Sequence, residues 1–159
     1  MNETGNKTRL KSLKKTLAKW RRRSREERIL LLEAFVLLGA ARLGVLILPF
    51  RRLAGSLGAH MKVADATIPP ADLHLARMVG GAVRSAANYT PWESVCLPQA
   101  VAARWMLKRR RIPATLYLGV AKDVTAPGTL AAHAWVSCGS VILTGAKGHR
   151  QYTVVSTFS

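Results

Sequence analysis

Acidic side chains are scarce in this chain of 159 residues: 8 Asp and Glu stand against 25 Lys and Arg, a formal charge of +17. Beyond Glu93 the only carboxylate side chain is Asp123, which sharply limits any acid-dependent chemistry in the C-terminal half. Cysteine is scarcer still. Cys96 and Cys138 cannot make a disulfide framework, and a basic chain without an export signal is expected to be cytoplasmic and reduced. The opening stretch MNETGNKTRLKSLKKTLAKW has no apolar centre followed by a small-residue cleavage site, so it does not read as a secretory signal. Long uncharged apolar runs are also missing. Residues 29–50 are strongly apolar, but Glu33 and Arg42 interrupt them. A span needs about 20 largely uncharged residues, and a charge near its centre costs roughly 2.5–3.5 kcal/mol. A buried or interfacial helix is therefore expected in preference to a span. Aromatic residues are few and are not interleaved with the basic runs as base-stacking platforms would be. Nucleic acid is not expected as a partner, although charge alone allows a non-enzymatic basic nucleic-acid-binding module. His60, His74 and His149 have no ligand spacing with either cysteine, so no metal and no cofactor is expected.

What the chain has in excess is positive charge, which implies an anionic partner: nucleic acid, an anionic membrane surface or an acidic peptide. Over residues 7–23, Leu10, Leu13, Leu17 and Trp20 form one helical stripe with lysines around it, an amphipathic basic helix. Basic residues close to an anionic bilayer contribute around 1 kcal/mol each, so residues 7–50 are expected to favour a membrane surface. Ser24 followed by Glu27 is a capping-box pattern, and a helix should run from Arg25 to about Leu48, where Pro49 stops it. Residues 51–58 read as a short helical piece and residues 59–70, ending in Pro-Pro, as a linker. The expected division is a basic and hydrophobic helical region over 1–70 and a core over 71–159.

The core opens with a helix over 71–88, whose Gly80-Gly81 pair suits close packing against a neighbour. After a loop at 90–94 comes CLPQAVAARWMLKRRRIPATLYLGV, from Cys96 to Val120. Pro98 suits the first turn of a helix, Lys108 to Arg111 suit its negative pole, and Pro113 closes it. The period then changes from 3.6 to 2 over Leu116, Leu118 and Val120, and further strands are expected over 133–138, 141–144 and 152–156. Helices followed by an antiparallel sheet make the fold class α+β.

A thiol becomes a good nucleophile as the thiolate, which a helix N-terminus and a nearby imidazole both favour. Cys96 stands at the expected helix start, and His133 begins a strand of the sheet that this helix must pack against. A buried, inert cysteine is the commoner fate; Cys138, alternating to the face opposite His133, reads as core. Trp135 shares the face of His133. Trp92 lies just upstream of Cys96, where it could wall a substrate cleft.

The run from Cys96 to Val120, followed by Ala-His-Ala-Trp-Val around His133, resembles the bacterial transglutaminase-like, papain-related cysteine peptidases of lasso peptide biosynthesis. It is most similar to the discrete leader-peptidase half of the split B protein. The matching features are Cys-Leu at a helix start, the basic helix end before Ile-Pro-Ala, the strand ending Leu-Gly-Val, and the histidine motif. The hydrophobic N-terminal helix ending Leu-Pro-Phe fits as well, so the resemblance covers nearly the whole chain. It implies a Cys-bearing helix packed on a small antiparallel sheet, with Cys96 as nucleophile and His133 as general base and then acid. It also implies three partners: a precursor peptide leader, a separate small leader-recognition protein and an asparagine-synthetase-like lasso cyclase. A transglutaminase-like acyltransferase would use the same residues on a different acceptor. The family pattern places an aspartate on the strand after the histidine strand. Here that region, 143–146, holds no acid, which leaves Asp123 as the alternative orienting acid, Thr144 or a backbone group as a substitute, or a dyad without a third residue.

Overall fold

The computed structural model describes residues 23–64, 67–92, 94–123 and 128–159. The amphipathic helix expected over residues 7–23 lies outside the described residues except for Arg23. The capping box forms reciprocally: Glu27 N–H donates to Ser24 Oγ at 3.1 Å, and Ser24 N–H donates to the Glu27 carboxylate at 3.1 Å. Helix α1 (Arg25–Ile47) follows, and Pro49 then serves as N-cap of the short α2 (Phe50–Leu57). Helix α3 (Pro70–Ala87) starts on a proline, and α4 (Cys96–Arg109) starts on the cysteine itself.

Helix α1 buries Leu30, Leu31, Ala34, Leu38 and Ala41, and packs on α3 and α4. Its other face leaves Ile29, Leu32, Val36, Leu43, Leu46 and Ile47 exposed. It is long and apolar enough to cross a membrane by length and composition, with 33% of its apolar window buried inside the protein. Glu33, the acid that interrupts the apolar run, faces inward. Its carboxylate accepts from Arg110 Nη2 at 2.5 Å and Nη1 at 3.1 Å, with Arg109 at 3.3 Å. A bidentate guanidinium–carboxylate pair fixes direction as well as charge, so this contact locks α1 to the end of α4.

Helix α4 is the centre of the molecule. Ala100, Val101, Ala102, Ala103, Met106 and Leu107 are all buried, which requires neighbours on every side and explains the alanines that let them approach. The helix ends in a Schellman arrangement: Ile112 N–H donates to Leu107 O and Arg111 N–H to Lys108 O. Arg111 takes the left-handed position (φ 56°) that glycine usually fills.

Strands β1 (Thr115–Lys122), β2 (Leu130–Cys138), β3 (Val141–Thr144) and β4 (Thr153–Phe158) form one antiparallel sheet of order β3-β2-β1-β4. Alternation along β1 and β2 turns Leu116, Ala134, Val136 and Cys138 into the core cluster with α4. That cluster is continuous from Leu30 to Phe158. The stretch read as a linker does more than connect: Ala59 and Ser159 exchange backbone hydrogen bonds, and Met61 N–H donates to Thr157 O, so residues 59–61 extend the sheet beyond β4. The glycine pair in α3 divides its labour. A Cβ on Gly80 would stand 2.9 Å from Leu143 O, whereas one on Gly81 would meet nothing within 4 Å. Arg84, one turn further on, donates to Leu143 O and ties α3 to β3.

Candidate active site

Cys96 is the first residue of α4, a free and partly buried cysteine. The N-cap residue, Val95, offers no side-chain cap, and Pro98 has no N–H. The first-turn N–H groups of Cys96 and Leu97 have no acceptor within the helix. They stand at the positive end of the helix dipole, beside the thiol. The loop that delivers the cysteine is braced from both sides. Gln99 Nε2 donates to Ser94 O at 2.6 Å, and the Thr90 and Ser94 hydroxyls are 2.8 Å apart. Trp92 packs on α1, with its ring 5.7 Å from Phe35 and against Gly39. It anchors the loop to α1.

His133 lies on β2, directly across from Gly119 on β1. Its Nε2–H donates to the main-chain oxygen of Gly145 at 2.8 Å. That bond holds the proton on Nε2 and leaves Nδ1 as the ring's acceptor in the neutral imidazole. Trp135 stacks beside the ring at 5.9 Å and Tyr152 at 4.9 Å. Two glycines make this arrangement possible. A Cβ on Gly119 would stand 2.8 Å from Tyr152 Cβ and 3.0 Å from the Trp135 ring. Gly145 has φ +70°, and a Cβ there would stand 2.4 Å from Ala134 O. Only glycine brings its carbonyl so close to β2.

The structure thus supplies a backbone carbonyl where an orienting side chain was sought. Asp123 stands four residues along β1 from Gly119, about 13 Å at ~3.3 Å per residue, where its N–H donates to Thr129 O. That register puts it just past the Lys122–Leu130 end of the β1–β2 ladder, away from the Gly119–His133 pair. Thr144 pairs with Val136 on the core face, and its buried Oγ1 has no hydrogen-bond partner. Nothing in residue type announces a backbone acceptor; the one available signal was the glycine just after a strand, in the region where the aspartate was missing.

The structure does not bring the two principal candidates together, although α4 meets the sheet chiefly through β2. His133 and Trp135 alternate to the face of β2 opposite Ala134 and Val136, and no hydrogen bond links the Cys96 thiol to the imidazole. Cys138 is fully buried, and burial, followed by the charge of Asp72, pushes its thiol pKa up. It is a core residue. His149 Nδ1–H donates to Ala146 O at 2.7 Å and the ring lies against Trp135, while His60 meets Ser156 Oγ at 2.9 Å. Among the described residues no group of three His, Cys, Asp or Glu side chains is placed to hold a metal.

A cysteine opening a central helix that packs on a four-stranded antiparallel sheet is the α+β arrangement of a transglutaminase-like core. Residues 44–157 match the model of the Transglutaminase-like superfamily, and the chain belongs to that superfamily. Its domains typically use a Cys–His pair, and cysteine peptidases are among its members. Neither the curated proteins nor the solved structures include a match to the chain.

Proposed function

We propose that this protein is a cysteine peptidase that removes the leader from a lasso peptide precursor before macrolactam formation. The observation that carries the reading is Cys96 as the opening residue of α4 in a transglutaminase-like domain. The Gly145 bond that frees His133 Nδ1 supports it. The reaction requires the imidazole to reach the thiol from the sheet face opposite Ala134 and Val136; His133 Nδ1 then takes the Cys96 thiol proton as Sγ attacks the scissile carbonyl carbon. The tetrahedral oxyanion faces the first-turn N–H groups of α4. Collapse breaks the C–N bond, and the imidazolium gives its proton to the departing amine, the new N-terminus of the core peptide. The leader remains as a thioester on Cys96, and water, deprotonated by His133, hydrolyses it.

A separate small leader-recognition protein would present the precursor, and an asparagine-synthetase-like cyclase would take the product. The protein would work in the cytoplasm with the exposed face of α1 resting on an anionic membrane surface. Arg25, Arg28, Arg42, Arg51 and Arg52 lie in or beside that helix, on either side of the apolar run from Ile29 to Ala41 that Glu33 interrupts.

Incubation with the neighbouring precursor and the leader-binding partner tests the reading. Release of free leader that disappears in Cys96→Ser supports it. Uncleaved precursor under conditions where the partners bind would sink it. A stable crosslinked product in place of free leader would mean an acyltransferase. Salt-sensitive binding of arbitrary DNA, unchanged in Cys96→Ser and without cleavage, would mean a basic binding module.

A further inference from the structure

The far end of α4 carries a feature that cysteine chemistry does not use. Arg104 is 5% exposed, and its Nε is buried without a hydrogen-bond partner. The ion pairs among the described residues involve Glu33 with Arg109 and Arg110, so no carboxylate pairs with Arg104 there. Burying a guanidinium costs several kcal/mol unless an anion or strong acceptors compensate it, and burial lowers its pKa accordingly. The side chain lines a cavity of about 390 Å³ between the end of α4 and residues 63–64, together with Lys108, Arg111 and Ser159.

Lys108, one turn beyond Arg104 on α4, and Arg111, just past the helix end, line the same opening, with Lys108 Nζ donating to Ser56 O at 2.9 Å. The walls are shaped around the guanidinium. Gly58 has φ +125°, and a Cβ on it would stand 2.9 Å from Arg104 Nη2 and 2.2 Å from Ser159 O. Arg111 holds its left-handed conformation at a cost of roughly 1–2 kcal/mol relative to glycine, and Ala64 N–H is already committed to Thr115 Oγ1 at 2.8 Å. The Ser159 main-chain oxygen beside the cavity already accepts from Ala59 N–H, which leaves the buried Arg104 Nε without a partner among the described residues.

From this geometry we infer that the Arg104–Lys108–Arg111 cavity binds an oxyanion, either a phosphate-type group or a carboxylate, which completes the hydrogen bonding of the buried guanidinium. Arg104 lies eight residues along α4 from Cys96, about 12 Å at 1.5 Å per residue. The site is thus separate from the thiol, and cleavage assays and anion binding can fail independently.

Thermal unfolding of the full chain tests the inference, in sodium phosphate, sodium acetate and sodium chloride at equal ionic strength. Phosphate at about ten times its Kd should raise Tm by about 3–5 °C beyond chloride. The same rise in acetate identifies a carboxylate-competent site, and a rise in phosphate alone identifies a phosphate-type one. Arg104→Met should remove the anion-specific increment. Arg111→Gly keeps the inference testable if that variant folds poorly: it relieves the left-handed backbone, so Tm in chloride should rise while the phosphate increment shrinks. Two results would overturn the inference. One is no increment over chloride with either anion, as for a cavity filled by water. The other is an increment that survives in both variants.

Discussion

His133 and Gly145 are joined by a hydrogen bond of 2.8 Å from ring Nε2 to main-chain oxygen. The bond depends on a conformation, φ +70°, and on the absence of a Cβ that would otherwise stand 2.4 Å from Ala134 O. A backbone carbonyl can set the tautomer and orientation of an imidazole, but it carries no full negative charge to stabilise the imidazolium. On the proposed reaction, this chain works with an oriented dyad.

Gly145→Ala should therefore slow leader cleavage by up to about 100-fold, the low end of what a positioned general base contributes. Asp123→Asn should cost far less, because its register places it away from the ring. Measuring kcat for both variants beside their unfolding curves decides which group orients His133. The larger loss in Asp123→Asn would hand the role back to the acid.

Cys138 predicts a pH dependence of stability. Its thiol pKa is raised in the folded state above the ordinary 9.0, so above that value the unfolded chain loses the proton while the folded chain keeps it. The native state then binds more protons, and stability falls as pH rises. The contribution is fully present below pH 9.0 and is lost as pH rises from there through the folded pKa. Urea unfolding between pH 8 and 10.5 should show a shallower decline in Cys138→Ala than in the parent. Equal slopes would remove the thiol from the balance.

The two adjacent glycines of α3 should respond with opposite signs. Gly81→Ala fills open space and removes backbone freedom from the unfolded chain, so it should stabilise by about 0.5–1 kcal/mol. Gly80→Ala forces its Cβ against Leu143 O on β3 and should destabilise. Thermal denaturation of the two single variants checks the contrast.

The exposed face of α1 makes a membrane prediction. Co-sedimentation with vesicles containing anionic phospholipid should exceed that with zwitterionic vesicles, and should weaken with rising salt. Leu43→Glu, on an exposed position, should reduce binding without moving Tm. Binding insensitive to both lipid charge and the substitution would leave that face without a membrane role.

Much of the fold was legible in local pattern. The Ser24–Glu27 box, Pro49, Pro98 and Pro113 mark helix limits through capping and steric rules that act within a few residues. Period-2 alternation marked the strands for the same reason. The extension of the sheet by residues 59–61 was not legible, because its partner, Ser159, lies a hundred positions away and contributes only backbone groups.

By itself the sequence determined the α+β order, the placing of Cys96 at a helix start and the separation of His133 from Cys138 onto opposite faces of one strand. These follow from short-range periodicity. Tertiary structure alone decided that Gly145 O meets His133 Nε2, that Glu33 turns inward to Arg110, and that Arg104 Nε is buried without a hydrogen-bond partner among the described residues. Each is a contact between residues distant in sequence or with the main chain. Packing sets such distances, and no side-chain pattern encodes them.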